Sequence, residues 1–305
     1  MLNWLHRSSV PATPFAAEQA KATMTATQGL LEYGDPHDWP SHRFGLPASR
    51  WDALSGRVVW VTGAATGFGA AVSTMLAAAG ARPILSGRRG AKLDEARDGM
   101  RALGVDPGGV TVLPCDARDE AQLRAAVQRI ETETGELHGL VVCAALPQAR
   151  TSPWPLADLP RESWQAMLDT NVTAPWLAAR SAFPLMLRSG GARIVFLTSE
   201  AGWASTPGFG PYNVSKAALN TLGVSLAAEA AAHQPAADIQ INVLNPGEAR
   251  SEMNQGSTVS PFAAVAMTLA LLSHPAGGPN GCFFARDGRH LEFAYARAWP
   301  RELLP

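Results

Sequence analysis

Tyr212 and Lys216 stand four residues apart in Tyr212-Asn213-Val214-Ser215-Lys216, a spacing that places both side chains on one face of a helix. A phenol beside an ammonium is an acid/base unit: free tyrosine titrates near about 10, and a neighbouring positive charge favours the phenolate and lowers that value. Ser199 follows the apolar run Ile194-Val195-Phe196-Leu197-Thr198, a buried-strand pattern whose end brings a hydroxyl to the same spot. The chemistry this trio offers is proton transfer to an oxygen that gains negative charge, as when a carbonyl carbon is reduced. The structural alternative makes Ser199 a strand cap, Tyr212 a packed aromatic and Lys216 a solvated charge. A Tyr-x-x-x-Lys pair alone does not separate the two readings.

A second constellation does. Val58-Val59-Trp60-Val61 runs into Thr62-Gly63-Ala64-Ala65-Thr66-Gly67-Phe68-Gly69 and then an alanine-rich segment, which reads as strand, glycine turn and helix. Residues without bulk let backbone N–H groups and the positive end of the helix approach a pyrophosphate. The spacing is not the general G-x-G-x-x-G dinucleotide pattern. After the next apolar run stands Ser86-Gly87-Arg88-Arg89, with no acid to bond ribose hydroxyls. A guanidinium at Arg88 suits paired hydrogen bonds to a 2'-phosphate, so the expected cofactor is NADP(H), with NAD(H) second. Arginines merely solvated at a helix start are the alternative.

Taken in order, the T-G-x-x-x-G-x-G turn, Ser199, the Tyr-x-x-x-Lys pair and Asn245-Pro246-Gly247 make residues 54–288 resemble the short-chain dehydrogenase/reductase family. The resemblance implies an oxidoreductase moving a hydride between NADP(H) or NAD(H) and a carbonyl/alcohol substrate. It assigns cofactor contacts to Gly63, Thr66, Gly67, Phe68, Gly69, Ala144, Pro246, Gly247, Ala249 and Ser251, and the adenine to Asp116. It makes Tyr212 the acid/base, has Lys216 also hold the nicotinamide ribose, has Ser199 polarise the substrate oxygen, and gives Asn171 of Asp169-Thr170-Asn171-Val172 a water-mediated proton relay. It further implies a homodimer or homotetramer assembled through the helices over 161–188 and 212–231.

The chain departs from the family at Cys143-Ala144-Ala145-Leu146, where an N-A-G sequence is usual. The missing asparagine removes ties at the strand end, and Leu146 adds bulk near the adenosine ribose. That departure feeds an alternative, a catalytically inactive dinucleotide-binding sensor or assembly protein of the same fold. Glu248 either meets a substrate hydroxyl or amine or faces solvent. The loop Glu252-Met253-Asn254-Gln255-Gly256-Ser257-Thr258 is short and polar, favouring a polar substrate over a long steroid-like one.

The elements that must position these residues follow from the pattern. Apolar runs at 58–62, 83–86, 110–114, 140–144, 194–198, 239–244 and 281–284 alternate with helical segments at 67–79, 91–103, 120–132, 161–188, 212–231 and 261–272. Pro175 and Pro184 are expected to disturb the fourth of these helices. This is an α/β fold, a doubly wound Rossmann-type parallel sheet of about seven strands with helices on both faces, and its ligands belong at the carboxyl ends of the strands. Residues 1–50 read as a partly extended arm, with one short helix over 16–31 and Tyr33, Trp39 and Phe44 available to pack on the catalytic domain of 51–305 or on a neighbouring subunit, a disordered leader being the alternative.

With 25 basic and 26 acidic residues in 305 and a net charge of -1, the chain lacks the electrostatic footprint of a nucleic-acid or polybasic membrane binder. The partner expected is a small molecule. Three scattered cysteines and seven scattered histidines suggest neither a disulfide framework nor a metal site. No apolar run approaches the ~20 residues of a membrane span, and Pro11 and Pro14 break the amino terminus where a signal core would lie, so a cytoplasmic location is expected.

Overall fold

The computed structural model describes residues 43–147, 156–204 and 208–291. The helix expected over 16–31, Tyr33 and Trp39 lie outside these residues. Strand β1 (Val58–Thr62) is buried at every position, and so is β5 (Ala192–Leu197); such continuous apolar runs belong to strands covered on both faces. With β2 (Arg82–Gly87), β3 (Thr111–Pro114), β4 (Gly139–Val142), β6 (Ile239–Asn245), β7 (Phe283–Ala285) and β8 (His290–Leu291), they form one sheet in the order β3-β2-β1-β4-β5-β6-β7-β8. The pairings from β3 through β7 are all parallel, as the sequence pattern requires. Two-residue β8 adds an antiparallel edge that the pattern did not show.

Strand alternation divides the core. Val58 and Trp60 point to one side, where they meet Leu140, Phe196 and the helices α4 (Glu120–Thr134), α6 (Ala174–Arg188) and α7 (Gly210–His233). Val59 and Val61 point to the other, against Met75 and Leu76 of α2 (Gly67–Ala78), Leu93 of α3 (Gly90–Gly99) and Leu269 of α8 (Val265–Leu272). Trp60 is fully buried; removing a side chain of that class from water contributes up to about 3 kcal/mol. Before β1, Arg50 in a short helix (Ala48–Asp52) donates to Ser273 Oγ at 3.2 Å and to the Ala270 carbonyl, tying the end of the expected arm to α8.

The helix expected over 161–188 is three pieces. A helix α5 (Arg161–Leu168) passes through a π turn, Asp169–Thr173, into α6. The disturbance lies directly before Pro175, whose missing N–H and ring bulk interrupt bonding to the carbonyl four residues back, that of Asn171, whereas Pro184 is carried inside α6. It centres on Asn171, whose side chain is drawn out of the helix by tertiary hydrogen bonds.

The strand order reverses between β1 and β4, and ligands of such sheets sit beyond the strand ends at that point. Among the described residues no helix is long and apolar enough to cross a membrane, and no group of His, Cys, Asp or Glu could hold a metal ion. The cysteines are free; Cys115 is buried, while Cys143 and Cys282 are only partly so.

Candidate active site

β1 ends at Thr62 and the chain turns through Gly63 into α2. Gly63 has φ +68°, and a Cβ there would stand 2.5 Å from the Ala144 nitrogen beyond β4, so only glycine lets the two strand ends close up. A Cβ on Gly69 would collide with the Gly63 carbonyl. Thr66, the residue before α2, makes no side-chain cap bond, which leaves the first-turn N–H groups available to an anion. Thr62 Oγ1 is buried without a hydrogen-bond partner.

A cleft of about 240 Å³ opens over this turn. Of the residues singled out in the sequence, Gly63, Thr66, Gly67, Phe68, Gly69, Arg88, Asp116, Ala144 and Ser251 line it. The bare cradle, the helix amino end and the orphaned hydroxyl fit a dinucleotide. Pro246, Gly247 and Ala249 do not line this cleft. They follow β6, with Pro246 and Ala249 buried and Gly247 exposed at φ +67°. Glu248 is exposed, and its carbonyl accepts from Arg286 Nη1 at 3.2 Å.

Arg118 is a cleft residue that the sequence reading missed. Its guanidinium grips Asp116 through two bonds, Nε to Oδ1 at 3.0 Å and Nη2 to Oδ2 at 2.6 Å. This pairing, helped by the charge of Arg88, holds the Asp116 carboxyl below the usual carboxylate range. The Asp-x-Arg spacing was the available signal. Arg89 and Met253 also line the cleft.

At the end of β5, Ser199 turns the chain and caps the Ala201 nitrogen at 3.2 Å. Tyr212 lies in the first turn of α7 and Lys216 one turn on, its Nζ 5.7 Å from the centre of the Tyr212 ring. Lys216 is 3% exposed and donates to the Leu197 carbonyl at 3.0 Å. Burial lowers its ammonium to about 8. Burial also lifts the Tyr212 phenol above its ordinary value, and a hydrogen bond with the Ser199 hydroxyl pulls it partly back. The expectation that Lys216 lowers Tyr212 is therefore corrected: loss of water is the largest influence on both groups, opposed at Tyr212 by the Ser199 hydrogen bond rather than by the ammonium.

Asn171 is 1% exposed. Its Nδ2 donates to the Leu146 carbonyl and to Ser215 Oγ, both at 3.0 Å, and its Oδ1 accepts from the Leu146 nitrogen at 2.6 Å. Both amide protons are thus spent on structure. The structure brings Asn171, Ser199, Tyr212 and Lys216 into one linked cluster: Asn171 reaches α7 through Ser215, Lys216 reaches β5, and Ser199 reaches Tyr212. It also revises the reading of Cys143 to Leu146. Asn171 ties both backbone groups of Leu146 beyond β4, and Leu146 does not line the cleft.

Residues 57–260 match the family model described as short chain dehydrogenase. The chain is 31% identical over 245 residues to the Dehydrogenase/reductase SDR family member 4 of Homo sapiens, covering 80% of this chain and 84% of that protein. It is 30% identical over 203 residues to the Gluconate 5-dehydrogenase of Gluconobacter oxydans, covering 67% of this chain and 75% of the relative. Among solved structures, a short chain dehydrogenase from Pseudomonas syringae superposes with TM-score 0.70 at 32% identity, covering 77% of this chain and 96% of that one. One from Shigella flexneri, complexed with NADP, gives TM-score 0.68 at 25% identity over 77% of this chain and 99% of its own. A match spanning the glycine cradle, the β5 end and the first turns of α7 leaves one conclusion: the chain belongs to the short-chain dehydrogenase/reductase family and is an NAD(P)-dependent oxidoreductase acting on a small molecule.

Proposed function

We propose that the chain interconverts a carbonyl and an alcohol with NADP(H), using Tyr212 as the acid/base. The observation that carries this reading is the cluster of part-buried Ser199 and Tyr212 with buried Lys216, beside a glycine cradle at the carboxyl ends of adjacent strands. When bound, the nicotinamide supplies or takes up the hydride. Tyr212 Oη gives its proton to the carbonyl oxygen as negative charge develops there, and takes it back when an alcohol is oxidised. Ser199 hydrogen-bonds that same oxygen. Lys216, an ammonium near neutral pH, stabilises the phenolate left after proton transfer and holds the nicotinamide ribose. Asn171 acts as a positioning residue, fixing the segment after β4 against α7 at Ser215.

Arg88 gives the preference for NADP(H): it shares one corner of the cleft with Arg89 and Arg118, which are paired with Glu252 and Asp116, and brings to it a guanidinium suited to a 2'-phosphate. The solved relative holding NADP agrees with this assignment. The short polar loop over 252–258 suggested a polar substrate; beside Tyr212 itself stands one exposed aromatic, Phe209, which meets it edge-on at 6.4 Å between ring centres. A carbonyl compound with an apolar group next to the reacting carbon suits that neighbour.

The deciding experiment is Tyr212→Phe. Turnover of a ketone panel should fall by at least about 100-fold, in line with loss of a general acid, while fluorescence titration with NADPH is unchanged. Retained turnover would remove Tyr212 from the role.

A further inference from the structure

We propose that Glu252 is a cofactor-discriminating residue: its carboxylate holds the Arg89 guanidinium in the cofactor-free protein and competes with the 2'-phosphate of NADP(H), but not with NAD(H), for that group. The proposal rests on the NADP(H) reading above.

Arg89 stands immediately before α3 on one lip of the cleft, and Glu252 belongs to the loop after β6 on the other. They are 163 residues apart in the chain and meet with Nη2 and Oε2 at 2.7 Å. Their loops bound the same cleft: Arg88 and Arg89 line it from one side, Ser251 and Met253 from the other. Ser251 in turn lies against the glycine turn, 3.1 Å from where a Cβ on Gly67 would stand. The Glu252 loop therefore reaches from the diphosphate cradle to the corner where a 2'-phosphate belongs.

The neighbouring acids are otherwise engaged. Asp116 is gripped by Arg118, and Glu95 holds Lys92 at 2.6 Å. Glu252 is the acid set on the phosphate-recognising arginines themselves. Its pair with Arg89 is about half exposed on both sides, 53% and 48%, so an incoming phosphate has access to the guanidinium. A phosphate monoester brings more negative charge and more acceptor oxygens than a carboxylate and takes the guanidinium from it. NAD(H), with ribose hydroxyls in that corner, makes no such demand.

Full-length wild type, Glu252→Gln and Arg88→Ala are titrated with NADPH and with NADH by nicotinamide fluorescence. Thermal melts check that each variant is folded. Removing an exposed competing charge should tighten NADPH about two- to fivefold and leave NADH unchanged. Arg88→Ala should weaken NADPH selectively. If the wild type binds both cofactors alike and Arg88→Ala affects them equally, the NADP(H) reading fails and this proposal with it. If the wild-type preference stands but Glu252→Gln weakens NADPH, leaves it unchanged or shifts both cofactors together, the competition alone is overturned. In the weakened case, Glu252 would instead orient Arg89 for the phosphate.

Discussion

Replacing Lys216 by methionine tests the account of this site in a way that does not require a known substrate. The ammonium is 3% exposed and is lowered from its ordinary 10.5 to about 8, chiefly by burial. At about 1.4 kcal/mol per factor of ten in proton affinity, the folded protein carries a cost of about 3 kcal/mol near neutral pH. Methionine removes that cost but leaves the Leu197 carbonyl without its donor, a loss of about 1–3 kcal/mol. The net change at one pH is therefore small, and the pH dependence is the informative quantity. Between about pH 8 and 10.5 the unfolded chain binds more protons at this lysine than the folded one, so wild-type stability rises with pH across that window. The variant lacks this contribution, while the packing and carbonyl effects are independent of pH. Wild type should gain about 2 kcal/mol relative to Lys216→Met between roughly pH 7 and pH 9.5, measured by urea denaturation of the cofactor-free protein. A difference that stays flat across that range would refute the claim that Lys216 is buried as a costly cation.

Three further outcomes are expected. Gly69→Ala forces a methyl group onto the Gly63 carbonyl and should cost at least about tenfold in affinity for either dinucleotide, by displacing the cradle that receives the diphosphate; calorimetric titration measures it. Asn171→Ala strips partners from both backbone groups of Leu146 and from Ser215 and should lower stability by about 2–3 kcal/mol, with an unchanged urea midpoint contradicting it. Arg193→Met breaks a largely buried ion pair with Asp238 at 2.6 Å and should cost about 3 kcal/mol in urea denaturation, without a change in NADPH affinity.

Much of this architecture was legible because central parallel strands are buried on both faces and so appear as uninterrupted apolar runs. The Tyr212–Lys216 spacing placed both residues on one helix, where α7 holds them. What stayed hidden depended on contacts distant in sequence. Pro175 marked a disturbance near this point but not its form: the π turn over Asp169–Thr173 goes with Asn171 bonding to Leu146, 25 residues away. β8 is two residues whose pairing is set by the turn from Ala285 to Arg289 rather than by propensity. The Arg89–Glu252 pair joins two loops without periodicity. The direction of the Tyr212 shift was misjudged for the same reason: spacing showed a neighbouring ammonium but not the depth at which both groups lie.

The two buried cations associated with β5 show how a stabilising charge differs from a functional one. At the amino end, Arg193 is bonded to Asp238 Oδ2 at 2.6 Å and to the carbonyls of His274, Ala192 and Asp238. Its charge is neutralised and its donors are satisfied, the condition under which a buried cation is tolerated. At the carboxyl end, Lys216 has one described acceptor, the Leu197 carbonyl, and no carboxylate partner among its described hydrogen bonds and ion pairs. An ammonium offers three donors, so its remaining capacity faces Tyr212 and the cofactor side of the sheet. A fold selected for stability alone would fill that position with an apolar side chain. The under-satisfied cation lies at the strand end where the topology places ligands, where the proposed cofactor and reacting oxygen would complete its surroundings.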